Sequence, residues 1–349
     1  MSLATTPPSA GTVDGMVWVP GGTFRMGSDR HYREEGPSRA VEVGGLWLSR
    51  TAVTNAEYAA FVAATGYVTV AERPVDPADF PGAPAENLLP GSMVFVGTPG
   101  PVDLRHLSQW WRWTPGASWR SPEGPGSTVE GRERHPVVQV AAEDAEAYAE
   151  WAGLMLPTEA EWERAARGGV DAAAYTWGEQ PEPSGARWAN YWHGGFPWRA
   201  ERGYGATTPV GAFPENGYGL ADMAGNVWEW TQDWYVERRW EGESSCCVPR
   251  DPRGGTREDS ADPRQPGSAV PRRVIKGGSF LCADSYCLRY RPAARRPQAV
   301  DTGMSHIGFR CAFRPGGWSG EPPDRSAGAN AWRSPRERAV GGISGHRPR

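Results

Sequence analysis

The sequence predicts an irregular, loop-rich α+β fold with little regular secondary structure. Glycine and proline supply 45 and 33 of the 349 residues, and such a content requires many turns and loops. The chain also contains 18 tryptophans, whose large rings can build a hydrophobic core where helices and strands are sparse. Three short helical patterns lie among short strand patterns, which favours a mixed fold.

Two of the predicted helices begin with a capping box, in which a threonine is followed three residues later by a glutamate. The pairs are Thr54 with Glu57 and Thr158 with Glu161. A glycine follows the last apolar residue of each pattern, at Gly66 and Gly168, and predicts the end of the helix. We therefore expect helices within 54–66 and 156–169.

The third helix is predicted over 141–153, where Tyr148 and Trp151 fall on one face. Short strands separated by turns are predicted within 17–28 and 41–53, because apolar residues there alternate with Gly and Pro. The helical segments are short and the strand segments shorter still. We therefore expect loops to make up most of the fold.

The domain organisation follows from composition along the chain. Residues 1–15 and 315–349 contain little that a core could bury, and we expect both to be disordered tails. No composition change or internal repeat divides 16–314, which predicts a single domain.

Charge and hydropathy exclude two classes of protein. A net charge of -4 is unusual for a protein that grips nucleic acid through its phosphates. No apolar run approaches the roughly 20 residues that span a bilayer. Residues 1–15 lack Lys, Arg and an apolar segment, unlike a secretory signal, so we expect a cytoplasmic location.

Two of the five cysteines, Cys282 and Cys287, lie close together in KGGSFLCADSYCLRYR, residues 276–291. Four residues separate them, a wider gap than in a CxxC motif, and no second pair completes a tetrahedral zinc site. Two thiolates alone suit a soft ion such as Cu(I). A redox dithiol and a pair of inert buried thiols remain open alternatives, and we expect Cys246, Cys247 and Cys311 to be inert.

Common catalytic signatures are missing from the sequence. It contains no GxSxG, no Walker A loop and no HExxH. The six histidines are scattered without the spacing of metal ligands on a helix: His31, His106, His135, His193, His306 and His346. A histidine-based iron or zinc site is therefore not predicted.

A second group of candidate ligands lies in NGYGLADMAGNVWEW, residues 216–230. Asp222, Asn226 and Glu229 stand among glycines there, and oxygen ligands crowded on a tight loop suit Ca²⁺. Asp and Asn also bond to their own backbone in turns, so ordinary turn chemistry is the alternative.

Taken together, these motifs resemble those of the formylglycine-generating enzymes, also called sulfatase-modifying factors. The matching segments run in the family's order over about 16–314, and the combination is similar to the actinobacterial members. The segments are VPGGTFRMGS, TNAEYAAFVAATGYVT, HPVVQV, WAGLMLPTEAEWERAARGG, NGYGLADMAGNVWEW, KGGSFLCADSYCLRYRPAAR and HIGFRCAF.

The resemblance implies a fold and an activity. The implied fold is a compact, irregular relative of C-type lectin domains. The implied activity is oxidation of one cysteine of a sulfatase, within Cys-x-Pro-x-Arg, to Cα-formylglycine by an enzyme that uses O₂ and copper. The implied partner is an unfolded or nascent sulfatase polypeptide, and the metal supplies the redox chemistry.

The resemblance also assigns roles to single residues. The copper-binding pair of the family corresponds to Cys282 and Cys287. Ser279 and Tyr286 correspond to residues that hydrogen-bond an oxygen species or water, and Trp228 to an apolar wall near the O₂ site. Plain core packing is the alternative for the two aromatic residues. Asp76 corresponds to the acidic partner of the substrate arginine.

Two calcium sites are implied as well. The second site of the family corresponds to the side chains of Asp222 and Glu229 and the carbonyls of Gly225 and Val227. The first corresponds to the Asn190 side chain and the carbonyls of Tyr191 and Tyr204. The aspartate usual in the first site falls on Arg202, with Glu201 beside it. This departure weakens the expectation of a first calcium ion.

A further departure concerns PAARRPQAVDTGMS, residues 292–305, which replaces an NTPDSS-like run of many relatives. It flanks the implied active site, and we expect it to affect peptide recognition. Two other functions are compatible with the fold: an iron-dependent sulfoxide synthase, and a non-catalytic lectin-like binding protein. The synthases carry a histidine-rich helical domain that this sequence lacks, and neither alternative accounts for the cysteine pair.

Overall fold

The computed structural model describes residues 15–77, 82, 84–237, 248–264 and 270–315. These residues contain three α-helices, α1 Asn55–Thr65, α2 Ala142–Trp151 and α3 Glu159–Ala166. All three predicted helices are therefore confirmed. Cys246, Cys247 and nearly all of the two predicted tails lie outside the described residues.

Local sequence signals set the bounds of α1 and α3. The Thr54 and Thr158 side chains accept hydrogen bonds from the backbone N–H groups of Glu57 and Glu161, as the capping boxes predict. Gly66 follows α1 with a φ of 68°, the left-handed conformation that glycine adopts most readily. The ends of these helices are thus encoded within a few residues.

Thirteen short strands form five small sheets within the described parts of the chain. The strands are β1 Met16–Val19, β2 Gly22–Met26, β3 Arg39–Val43, β4 Leu46–Ser49, β5 Gly91–Phe95, β6 Trp111–Pro115, β7 Gly194–Gly195, β8 Arg199–Ala200, β9 Trp228–Trp234, β10 Arg272–Lys276, β11 Arg295–Ala299, β12 Ile307–Gly308 and β13 Ala312–Phe313. The predicted irregular, loop-rich α+β fold is therefore confirmed.

The sheets join distant parts of the chain. The order β1-β4-β13 forms a three-stranded sheet, and β2 pairs with β3 in a separate ribbon. The two strands predicted within 17–28 therefore belong to different sheets. The pairs β5-β6 and β7-β8 form two further ribbons.

The largest sheet has the strand order β11-β10-β9-β12. Strands β9, β10 and β11 are antiparallel, whereas β12 runs parallel to β9 with Ile307 opposite Trp228. The loop from Gly277 to Ala294 connects β10 to β11 and carries both cysteines of the candidate site. The sheet thus fixes both ends of that loop.

Aromatic side chains build the core, as the tryptophan content predicts. Tyr58 makes edge contacts with Phe61 and Trp119 and stacks on Tyr148, with ring centroids 5.3 to 5.9 Å apart. Such pairs add to the stabilisation that burial alone provides. The same apolar cluster includes Cys282 and Cys287, so the site rests on the main core.

Buried charges occur as pairs that tie loops to this core. Arg310 donates to both carboxylate oxygens of Glu229 over 2.7 and 2.8 Å, and Lys276 donates to Glu163 over 3.0 Å. All four side chains are almost inaccessible to solvent. Because an unpaired buried charge is costly, each partner holds the other in place.

No helix among the described residues has the length and apolar character needed to cross a membrane.

Candidate active site

The loop from Gly277 to Ala294, called the cysteine loop below, follows β10 and begins with a turn of two glycines. Gly277 and Gly278 have φ values of 95° and 74°, which side chains rarely adopt. A Cβ atom at Gly278 would lie 2.8 Å from the carbonyl oxygen of Arg289, closer than Cβ atoms come in proteins. The two glycines therefore let the chain turn back against its own return segment and place Ser279 at the start of the loop.

Two successive turns bring the cysteines together. The Cys282 N–H donates to the Ser279 carbonyl over 2.9 Å, and the Cys287 N–H donates to the Ala283 carbonyl over 2.6 Å. The two sulfur atoms lie 3.4 Å apart, and both residues are buried. A disulfide would need about 2.05 Å, so these are two separate thiols in contact.

The two thiols have different electrostatic surroundings. Burial raises the pKa of Cys282 well above the usual thiol range, and the neighbouring Cys287 adds to the rise. The hydrogen bond from Cys282 lowers the pKa of Cys287, and the positive charges of Arg289 and Arg296 lower it further. Cys287 is therefore the thiol that loses its proton first, with Cys282 as its hydrogen-bond donor.

Arg289 is held beside Cys287 by an N-terminal segment of the chain. Its Nη1 atom lies 3.8 Å from the Cys287 sulfur, and its Nη2 atom donates to Glu34 over 2.6 Å. The guanidinium also lies over the Tyr32 ring, 3.7 Å from its centroid. The Tyr32 hydroxyl accepts a hydrogen bond of 2.9 Å from the Leu288 N–H, which anchors the loop itself.

A small cavity of about 20 Å³ lies beside the cysteine pair. It holds about one water molecule. The five residues that the sequence placed at the reaction centre all line it: Trp228, Ser279, Cys282, Tyr286 and Cys287. The structure thus brings these residues together although Trp228 comes from β9 and the others from the cysteine loop.

On its other side the pair borders a wide cleft. Tyr286, Cys287 and Arg296 line both the cleft and the cavity, so they form the boundary between the two spaces. The cleft wall also carries Glu34 and Arg289. A molecule in the cleft can therefore approach Cys287 from a surface that carries both signs of charge.

Packing fixes the other predicted residues at the cavity. The Tyr286 ring stacks on Phe196 with centroids 4.6 Å apart and meets the edge of Trp110. The Ser279 hydroxyl accepts from the Leu281 N–H over 3.2 Å, which leaves the hydroxyl hydrogen free to point elsewhere. Trp228 is 1% exposed and is an apolar wall of the cavity.

Asp76 lies apart from this arrangement. It is exposed on the segment that follows the short 3-10 helix Val70–Glu72. It is not among the described residues that line the cavity or the cleft. Its contact with a substrate arginine stays a prediction.

The residues of the second candidate calcium site lie on the tight loop before β9. Asp222 and Glu229 are both buried, and burial raises the pKa of Asp222, with the Glu229 charge adding to the rise. A buried carboxylate whose pKa is raised in this way is stabilised in its charged form by a nearby cation. Asp222 accepts a hydrogen bond from the Gly211 N–H, and Glu229 is already paired with Arg310.

The first candidate calcium site has an unpartnered oxygen. Asn190 is fully buried, and no described residue donates a hydrogen bond to its Oδ1 atom. Its Nδ2 atom donates to the Ala206 carbonyl over 2.9 Å, which fixes the direction of the amide. Tyr191 is buried next to Asn190, and Tyr204 is half-buried. A buried acceptor without a donor is consistent with a cation ligand.

The surroundings of that site differ from the sequence expectation in one respect. Arg202, which stands where the aspartate is usual, is exposed. The neighbouring Glu201 does not replace that aspartate, because its carboxylate accepts a hydrogen bond of 2.7 Å from Arg187. Within the described residues, no group of three or more His, Cys, Asp or Glu side chains forms a metal site. The first candidate calcium site therefore depends on amide and carbonyl oxygens, whereas the second combines two carboxylates with carbonyl oxygens.

Sequence reasoning missed three residues of the site: Arg289, Arg296 and His306. Each lies in a segment that was singled out for other reasons, namely the cysteine loop, the arginine-rich 292–305 and HIGFRCAF. Their positions depend on pairing between β11, β10, β9 and β12. The departure of 292–305 from the family pattern marks the segment that carries Arg296, but it does not single out that residue.

The comparisons with known proteins agree with this geometry. The chain matches the sulfatase-modifying factor enzyme 1-like domain over residues 2–315. It is 54% identical to the formylglycine-generating enzyme of Mycobacterium tuberculosis, covering 86% of this chain and 98% of that protein. It is 47% identical to the formylglycine-generating enzyme of Thermomonospora curvata, covering 86% and 94%.

A solved structure has the same fold. The chain superposes on PvdO from Pseudomonas aeruginosa with a TM-score of 0.52 and 26% identity, covering 85% of this chain and 93% of that one. Because the domain match spans nearly all of the described chain and the relatives are matched over almost their whole length, this chain belongs to the formylglycine-generating enzyme family.

Proposed function

We propose that this protein converts a cysteine of a sulfatase polypeptide to Cα-formylglycine in a copper- and O₂-dependent reaction. The observation that carries the proposal is the pair of buried thiols 3.4 Å apart, between a cavity for one small molecule and an open cleft. The names of the relatives support the activity. The cleft offers a route by which a peptide that contains the Cys-x-Pro-x-Arg motif can reach the two thiols.

The proposed reaction balances when a thiol reductant is included. The substrate carbon loses two electrons as its C–S bond breaks and a C=O bond forms. O₂ accepts four electrons in all, and the reductant supplies the other two. One oxygen atom enters the aldehyde, the other leaves as water, and the sulfur leaves as H₂S.

The two cysteines fit Cu(I) as ligands. They are soft donors, they are already in contact, and they offer two coordinating atoms, which suits an ion that accepts low coordination. The positive charges of Arg289 and Arg296 offset the negative charge that arises when both thiols lose their protons. When bound there, copper supplies the redox chemistry with O₂.

Other residues of the site bind and orient the substrate cysteine and the small molecule in the cavity. Tyr286 and Cys287 stand at the boundary of cleft and cavity, so a substrate cysteine in the cleft reaches the pair beside them. Trp228 and the rings around Tyr286 keep bulk water out of the cavity. Ser279 is placed to donate its hydroxyl hydrogen to a small molecule there.

The proposal includes Ca²⁺ as a structural ion. The donors are the side chains of Asp222 and Glu229 with the Gly225 and Val227 carbonyls, and the unpartnered Oδ1 atom of Asn190 with the Tyr191 and Tyr204 carbonyls. The buried carboxylates and this acceptor oxygen support it. A cytoplasmic location is also proposed, because a reducing compartment keeps the thiols available.

A turnover assay tests the function. The purified protein is loaded with Cu(I) and given a Cys-x-Pro-x-Arg peptide, a thiol reductant and air, and the peptide mass is followed. We expect replacement of sulfur by oxygen in the peptide, and no product without O₂ or copper. Product with Fe(II) in place of copper would contradict the copper requirement, and no product from copper-loaded, folded protein would contradict the function.

A further inference from the structure

His306 lies at the cavity but has no part in the proposed chemistry so far. It is 4% exposed and lines the cavity together with both cysteines. Its ring packs against Trp111, with centroids 4.7 Å apart. Its carbonyl accepts a hydrogen bond of 2.9 Å from the Trp228 N–H, so the strand pairing of β12 with β9 fixes its position.

The imidazole has an unmet hydrogen-bonding requirement. No described residue forms a hydrogen bond with its Nδ1 atom, which is buried. Burial, together with the positive charge of Arg296, lowers the pKa of His306 well below its usual value, so the ring is neutral at physiological pH. A neutral imidazole has one donor and one acceptor nitrogen, and buried polar atoms nearly always have a partner.

We propose that His306 is a positioning residue of the reaction cavity, whose Nδ1 atom holds one water-sized polar molecule beside Cys282 and Cys287. The cavity volume of about 20 Å³ admits one such molecule and no larger ligand. Trp111 and Trp228 form apolar walls, whereas Ser279, Tyr286, Arg296 and His306 bring polar side chains to the lining. Among the described lining residues, His306 is the one with a buried side-chain nitrogen or oxygen that has no hydrogen-bond partner.

The inference deepens the proposed function and rests on it for its catalytic consequence. In the resting protein the guest is water. During turnover the same position is the one that O₂ must reach, so the polar anchor determines how the small molecule is oriented toward the thiols. His306 is not among the described residues that line the cleft, from which we propose that the substrate peptide approaches.

The test compares His306→Phe with His306→Asn. Phenylalanine keeps the ring and its contact with Trp111 but removes both nitrogens, whereas asparagine keeps a polar group. His193→Phe is the matched control, since His193 is also buried, has an unpartnered Nε2 atom and packs on Tyr191, yet does not line the cavity. The readouts are crystal structures of the metal-free proteins, Cu(I) affinity by competition, and kcat and KM for the peptide.

We expect an ordered water within hydrogen-bond distance of His306 Nδ1 in the wild type, and none there in His306→Phe. We expect kcat to fall about tenfold in His306→Phe, because the reaction cavity loses one hydrogen bond. In His306→Asn, which keeps a polar group, we expect kcat to recover partly. Cu(I) affinity and the KM for the peptide stay unchanged, and His193→Phe keeps its kcat.

The inference is overturned if the wild-type Nδ1 atom has no partner in the cavity, or if kcat is unchanged in His306→Phe. A change in Cu(I) affinity would instead make His306 a metal ligand and would also contradict it. If the wild type holds the water but makes no formylglycine, the proposed function fails while the binding site at His306 stands.

Discussion

Arg289 places a positive charge 3.8 Å from the sulfur of Cys287, and Glu34 and Tyr32 hold that charge in place. Cys287 and Glu34 are 253 residues apart in the chain. The contact therefore exists only in the folded protein. The hydrogen bond from Cys282 is the larger cause of the lowered pKa of Cys287, and this positive charge adds to it, so that Cys287, although buried, is the more acidic of the two thiols.

Replacing Arg289 by Gln should make Cys287 less reactive. The arginine lowers the pKa of Cys287, so without it the thiolate forms only at higher pH. The pKa of Cys287 is lowered to about 6, so a rise of about one unit would lower the alkylation rate about tenfold near pH 5 and about twofold at pH 7. The measurement is iodoacetamide labelling of metal-free protein across pH, with the modified cysteine identified by peptide mapping.

Two further variants control this experiment. Arg289→Lys keeps the charge and should keep most of the reactivity, whereas Arg50→Gln, at an exposed ion pair with Glu215, should leave the profile unchanged. An unshifted labelling profile in Arg289→Gln would show that Cys282 and Arg296 set the reactivity of Cys287 without Arg289.

The pH dependence of the unfolding free energy should reveal that His306 takes up a proton on unfolding. Its folded pKa is depressed and the unfolded value is 6.5, so below that value the unfolded chain binds a proton that the folded protein does not. Stability is therefore lost as pH falls below 6.5, by at most about 1.4 kcal/mol per pH unit from this group. The measurement is the unfolding free energy by denaturant at pH 7 and pH 5.

The His306→Phe variant isolates this contribution, because the other titrating groups are the same in both proteins. We expect the variant to lose less stability than the wild type over the same interval. Equal losses in the two proteins would mean that His306 takes up its proton in the folded state as well.

The ion pair of Glu229 with Arg310 should be important for stability. Glu229→Gln leaves Arg310 without its buried counter-charge, at a cost of about 3 to 5 kcal/mol. Glu215→Gln breaks the exposed pair with Arg50 and should cost less than about 1 kcal/mol. The measurement is thermal or denaturant unfolding with a chelator present, so that calcium does not contribute. Similar costs for the two variants would contradict this account.

Calcium should stabilise the protein through Asp222. Because a ligand that binds only the folded state raises stability by mass action, added Ca²⁺ should raise Tm and a chelator should lower it. Asp222→Ala should reduce this difference, whereas Asp103→Ala, at an exposed pair with Arg105, should preserve it. Differential scanning fluorimetry with and without Ca²⁺ measures both. A Tm that does not respond to Ca²⁺ in the wild type would refute calcium binding.

The parts of the fold that the sequence predicts are those encoded locally. The capping boxes at Thr54 and Thr158 mark their helices because donor and acceptor lie within one turn. The pairing of β1 with β4 depends on residues about 30 positions apart, and no pattern within 17–28 encodes it.

The same distinction holds for the candidate site. Cys282 and Cys287 stand out as a pair because they share one loop. Glu34, which holds Arg289 beside Cys287, and His306, which lines the cavity, come from opposite ends of the domain, and their side chains have no distinctive spacing. Only the family resemblance assigns a role to Asp76. Its position away from the cavity depends on the path of its segment, which the sequence does not define.

The most direct test of the account is formylglycine yield from three serine variants of the copper-loaded protein. Cys282→Ser and Cys287→Ser each remove one proposed ligand. Cys311→Ser makes the same change at a buried thiol outside the site. We predict that the first two lose at least about a hundredfold in rate, as expected when a reaction loses its metal, while Cys311→Ser stays active. Wild-type yield from either Cys282→Ser or Cys287→Ser would contradict the central claim that both thiols form the reaction centre.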